Sequence, residues 1–244
     1  MKWGYEIFGR SFEEHVELSK ALLAETKSRF ESGEYKTVHI EENTLEEHIE
    51  AGWGKDEEDD RLHYAEIDDW KKGTNPHEPT LILSPSGEKT YLMDTLRAAI
   101  GHSEDTFYFH SVWTCDAVII DFETPQGELL RFAQHMDDKM NTDEGALPAL
   151  IQEASALGTV KKLAIFYNSQ ADGSRNEQFI LALKVPETIQ KEIIDMTKIW
   201  DRPAHDIYIQ GNEAKIYHNE GDYDLETDTA SVRRVKSGDR KLFS

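Results

Sequence analysis

Cys115-Asp116-Ala117-Val118-Ile119-Ile120-Asp121-Phe122 and Leu129-Leu130-Arg131-Phe132-Ala133-Gln134-His135, joined through Thr124-Pro125-Gln126-Gly127, decide how this chain is read. Both flanking runs are short, apolar and bounded by turn residues, the pattern of β-strands. Proline suits the first central position of a type I turn. Glycine two places later suits the left-handed residue of a three-residue hairpin loop with a bulge. With Pro125-Gln126-Gly127 as that loop, Thr124 opposes Glu128, and counting back sets Ala117 opposite His135. Cys115 and His135 then share one face as diagonal neighbours, their Cβ atoms about 7–8 Å apart. A loop one residue shorter or longer would put them on opposite faces.

Cys115 is the only cysteine in the chain. A lone thiol followed one strand later by an imidazole is the minimal kit for nucleophilic acyl chemistry, because the imidazole can generate the attacking thiolate. The competing reading is packing, since a free cysteine commonly behaves as a small buried hydrophobe. The hairpin geometry adds weight to chemistry but does not by itself overturn packing; that takes something more specific.

Composition bounds the rest. The 244 residues carry a formal net charge of −21, which argues against binding nucleic acid or an anionic membrane and favours partners with basic surface. One cysteine excludes an internal disulfide and suits a reducing compartment. Met1 to Glu6 lacks the apolar segment of a secretory signal. No stretch approaches the ~20 apolar residues of a spanning helix. The expectation is a soluble, cytoplasmic protein, with export of an effector by a signal-less route as the alternative.

Outward from the hairpin, Ser11 to Phe30 reads as an amphipathic helix opened by a Ser11–Glu14 capping box, with Phe12, Val16, Leu23 and Phe30 on one face and Leu22 at its edge. A short strand at 37–40 and a helix at 44–51 follow. Lys55 to Asp60 reads as a solvated charge run, and Asn75 to Pro79 as a linker. Strands are expected at 80–84 and 89–93, around a Pro85-Ser86-Gly87 turn, and at 107–113. Between the last two, Asp94 is expected to cap a short helix to Ile100. A helix from Asp143 or Glu144, with Leu147, Leu150, Ile151 and Ala154 at helical spacing, ends at Gly158. Further strands are expected at 160–167, 179–185, 206–209 and 214–218, with a helix over 188–200. Arg233 to Lys241 reads as a disordered basic tail. The division is an acidic helical segment (1–75), a core (76–220) and a tail (221–244). The fold class is α+β, a strand-rich mixed-sheet sandwich core flanked by helices.

Thr114-Cys115 opening an apolar strand, a turn, a strand ending in His135, Ala146 to Glu153, Gly158 and Lys162 to Phe166 follow one another in an order that resembles the chemoreceptor glutamine deamidase (CheD) family. It is also similar to the catalytic domain of cytotoxic necrotizing factor toxins. The resemblance covers residues 111–167. It implies an αβ sandwich that deamidates glutamine side chains of protein substrates, with Cys115 as nucleophile and His135 as its base. Where the family's third residue is a side chain it is a threonine six positions before the cysteine. Phe109 stands there in this chain, which leaves Ser111, Thr114 and Gln134 as nearby candidates for an orienting residue.

Two function classes remain open at this point. One is a cysteine-dependent protein-glutamine amidohydrolase, which becomes a transglutaminase if an amine replaces water, or an inactive relative of it. The other is a non-catalytic acidic interaction or inhibitor protein whose Cys115 is structural. No metal or cofactor is expected. The segments Glu13-Glu14-His15-Val16-Glu17 and Glu46-Glu47-His48-Ile49-Glu50 read as solvated helix faces, and no phosphate-cradling loop is found.

Overall fold

The computed structural model describes residues 11–51, 78–94, 96–112, 115–136, 145–168, 183, 185–198, 205–224 and 229–243. In chain order they form α1 (Phe12–Ser32), β1 (Lys36–His39), α2 (Leu45–Ala51), β2 (Thr80–Leu83), β3 (Lys89–Met93), β4 (Ala98–His102), β5 (Thr106–Val112), β6 (Asp116–Glu123), β7 (Leu129–Met136) and α3 (Ala146–Leu157). After these come β8 (Thr159–Tyr167), β9 (Gln190–Asp195) with a single 3-10 turn (Met196–Lys198), β10 (His205–Gln210), β11 (Glu213–Asp224) and β12 (Thr229–Lys241).

The strands build two mixed sheets, one of seven strands in the order β1-β2-β3-β5-β10-β11-β12 and one of five in the order β4-β7-β6-β8-β9. They stack face to face as an α+β sandwich, and the pleat explains why β6 reads as a continuous apolar run. Ala117 and Ile119 point between the sheets, where they meet Phe107, Phe109 and Tyr91 of the larger sheet. Val118, Ile120 and Phe122 point the other way, into a second core formed with Leu22 and Leu23 of α1 and Leu147 and Leu150 of α3. A strand covered on both faces has no polar side to alternate with. The smaller sheet contributes Ala99, Ala117, Ala133 and Ala164 to the interface between sheets, and these leave room for the facing aromatics. The outer face of the larger sheet carries a third cluster, in which Leu45 of α2 packs with Ile40, Ile82, Leu92, Tyr108, Tyr208 and Tyr217.

The α1 capping box is present in both directions, Glu14 N–H donating to Ser11 Oγ (3.3 Å) and Ser11 N–H to Glu14 Oε2 (2.7 Å). The buried stripe of that helix differs from the expected one. It runs through His15, Ser19, Leu22, Leu23 and Thr26, while Phe12 is 44% exposed. His15 is not on a solvated face, because α1 passes so close to the start of α3 that a Cβ on Gly145 would lie 2.7 Å from the His15 ring.

Four further expectations are corrected. Asp94 and residues 96–100 are not helical: Leu96 lies in a turn that leads into β4, which pairs with β7. Residues 190–195 are a strand parallel to β8, not a helix, since Ile193 and Ile194 serve opposite faces of the sheet. The basic stretch is β12, held along β11 with cross-strand neighbours such as Glu220 and Arg233, so the C-terminal residues belong to the sheet and are no tail. Within the acidic N-terminal segment, α1 covers the smaller sheet and β1 pairs with β2, which makes both part of the sandwich. The charge run at 55–60 and most of the strand expected at 179–185 lie outside the described residues. No described helix is long and apolar enough to cross a membrane.

Candidate active site

The hairpin adopts the three-residue loop. Gly127 has φ +85°, its N–H donates to Thr124 O (2.9 Å), and Thr124 N–H donates to Glu128 O (2.8 Å). The register that follows sets Asp116 opposite Met136 and Ala117 opposite His135. Arg131, Ala133 and His135 therefore share the side of β7 that looks between the sheets. Cys115 itself stands one residue before β6, which begins at Asp116. Both are buried, His135 at 0% exposure and Cys115 at 8%.

Cys115 and His135 lie toward one end of the smaller sheet. β6 starts there, and β7, β8 and β9 finish there, because Ala117 is opposite both His135 and Phe166, and Tyr167 is beside Asp195. The larger sheet supplies Val112 at the end of β5, opposite His205, which is in turn opposite His218. Asn168, His205 and His218 are all buried at this end, and His218 Nδ1 lies 2.7 Å from Ser237 Oγ. Their positions were not read as site positions from sequence.

His135 is oriented by a backbone group. Its Nδ1 lies 3.0 Å from Met93 O, at the end of β3 in the opposite sheet. A carbonyl oxygen only accepts, so Nδ1 carries the proton and the neutral ring keeps its lone pair on Nε2. That is the tautomer in which Nε2 can accept a proton. The ring also meets Phe109 edge-on, centroids 6.2 Å apart. Phe109, the residue standing where the resemblance looked for a threonine, thus serves as an apolar wall for the imidazole.

Of the three orienting candidates, Gln134 lies on the opposite side of β7 from His135, toward the helices, as adjacent strand residues must. It is 1% exposed, and its Nε2 has no hydrogen-bond partner among the described residues. Thr114 and the Ser111 side chain lie outside the described residues. The orienting role that sequence reasoning sought in a side chain is met by the Met93 carbonyl, and a main-chain oxygen has no sequence signature.

Between the sheets and farther along the same hairpin, Asp121 and Arg131 stand directly opposite each other. Arg131 Nε and Nη2 donate to the two carboxylate oxygens at 2.7 and 2.9 Å. This pair belongs to the scaffold, two strand positions or more from the thiol–imidazole end. Among the described residues no group of three or more His, Cys, Asp or Glu side chains is arranged to hold a metal ion. Comparison with protein-family models returns no match, and neither does comparison with curated proteins.

Proposed function

We propose that this chain is a cysteine-dependent amidohydrolase that converts glutamine side chains of protein substrates to glutamate. The observation that carries the reading is His135: it stands opposite Ala117, two residues after Cys115, while its Nδ1 is committed to the Met93 carbonyl, so Nε2 is the basic atom. In this reading His135 takes the Cys115 proton. The thiolate attacks the carboxamide carbon, and the C–N bond breaks as the imidazolium gives its proton to departing ammonia. A water, deprotonated by the same imidazole, then hydrolyses the thioester and restores the thiol. With an amine in place of water the site performs transglutamination. Backbone N–H groups near Cys115 are the proposed oxyanion donors. The net charge of −21 supports a substrate that presents basic surface around its glutamine.

A second reading, a non-catalytic acidic interaction protein, is favoured by the burial of Cys115 and His135. The two separate on ammonia release from a fraction of basic proteins, with intact-mass detection of the gain of about 1 Da that each Gln-to-Glu conversion brings, a shift fixed by composition. Release that requires both Cys115 and His135 supports the amidohydrolase. Release that persists in Cys115→Ala refutes the assignment of the nucleophile.

A further inference from the structure

The turn between β3 and β4 grips His135 at three points. Met93 O accepts from its ring Nδ1 (3.0 Å), Leu96 N–H donates to its carbonyl (2.8 Å), and its own N–H donates to Arg97 O (3.0 Å). Two features of this turn are costly in isolation. Leu96 is left-handed, φ +69°, a conformation in which Cβ crowds the backbone. Arg97 is only 6% exposed and turns its Nη1 to Glu78 O at 2.8 Å, just before β2. Such strain persists only where the surroundings over-determine it. Here the Leu96 side chain is 2% exposed in the core between the smaller sheet and the helices, Arg97 N–H closes the turn on Asp94 O at 2.9 Å, and the guanidinium ties the turn to the segment entering β2.

The turn also links the two sheets. Met93 belongs to the larger one and Ala98 to the smaller, so the carbonyl that orients the imidazole and the strand beside the imidazole are connected by a few residues. A right-handed residue at position 96 would turn the 96 N–H away from His135 O and change the path back to Met93, moving the carbonyl that fixes the tautomer.

We propose that Leu96 and Arg97 are positioning residues for His135: the left-handed turn they hold keeps the Met93 carbonyl on Nδ1 and so keeps Nε2 as the basic atom. This rests on His135 being the base for Cys115. Two substitutions at one position separate positioning from packing. Leu96→Gly removes the side chain but accepts the left-handed backbone freely, and Leu96→Val keeps apolar bulk but resists it.

In the full chain, nitrogen-detected NMR of the histidine rings reads the His135 tautomer, and iodoacetamide alkylation of Cys115 across pH reads its basicity. Leu96→Gly is expected to melt lower yet keep the Nδ1–H tautomer and the wild-type pH profile. Leu96→Val is expected to mix tautomers and slow alkylation at neutral pH roughly tenfold, a fraction of what a positioned base contributes. A packing role alone predicts the reverse order, with Val near wild type and Gly perturbed, and that result overturns the proposal. If Leu96→Val does not fold, Arg97→Met and Leu96→Gly decide it: a shifted profile in the first with an unshifted one in the second supports positioning, and any other combination refutes it. The tautomer reading also keeps the two proposals apart. If wild-type alkylation is indifferent to His135→Ala, the amidohydrolase reading fails, while the NMR comparison still tests the turn.

Discussion

Replacing one partner of the Asp121–Arg131 pair probes the register on which the site depends. Both side chains are 0% exposed, bonded bidentately and directly opposite on β6 and β7. The third guanidinium nitrogen, Nη1, has no hydrogen-bond partner among the described residues, and the guanidinium carbon lies 5.8 Å from the centroid of the Phe107 ring. Asp121→Leu leaves a buried cation without its counter-charge, and Arg131→Met leaves a buried anion. Each is expected to cost about 3–5 kcal/mol, because desolvation of the survivor is no longer offset. Against a typical stability of about 5–15 kcal/mol that is a large loss. It lowers Tm by roughly 6–20 °C for a chain of this size.

The double variant Asp121→Leu/Arg131→Met removes both charges and is expected to be close to wild type or more stable, so its loss is smaller than that of either single variant. A one-residue slip of β7 would carry Arg131 to the helix side and strand Asp121 between the sheets, so the pair also disfavours the wrong register. Thermal and urea unfolding of the four proteins gives the stability cycle, and Cys115 alkylation gives the register readout. Single variants that cost under about 1 kcal/mol, or a double variant equal to the sum of the singles, would show that the pair is not the buried, coupled unit argued for.

Two other outcomes follow from local structure. Gly127→Ala is expected to cost about 1 kcal/mol through left-handed strain alone, since nothing lies within 4 Å of its Cβ position, whereas Gly158→Ala, whose Cβ would lie 2.3 Å from Glu123 O, is expected to cost more because backbone must move; equal losses in chemical denaturation would contradict this. Burial pushes the Tyr35 hydroxyl up to about 12 and those of Tyr91 and Tyr208 upward as well, with the Tyr208 hydrogen bond to Glu88 adding to the last. Their unfolded counterparts lose protons near pH ~10 while the folded ones keep them, so stability is whole below that pH and falls as pH rises above it; ultraviolet titration showing all nine tyrosines ionising together in the folded protein would contradict the burial.

The part of the fold legible from sequence is the part set by local chemistry. Pro125 and Gly127 specified the loop and, through it, the Ala117–His135 register. Ser11 and Glu14 marked the start of α1. What was not legible depends on the partner surface. Gln190 to Asp195 carries a pattern compatible with a helix, and only pairing with β8 makes it a strand. Arg233 to Lys241 looks like a solvated tail until β11 supplies the opposing strand. At the candidate site, Cys115 and His135 could be named from spacing, but the group that orients the His135 ring could not. A main-chain carbonyl from the other sheet leaves no trace in residue identity.

The most direct test of the account is the rate of Cys115 alkylation by iodoacetamide between about pH 5 and pH 9, the range over which thiols and imidazoles exchange protons, in wild type and in His135→Ala. Modification is expected at this one site, fast at neutral pH, with an inflection below that of an ordinary thiol that is lost in the variant. A thiol that stays inert in the folded protein, or one whose profile is the same with and without His135, would contradict it.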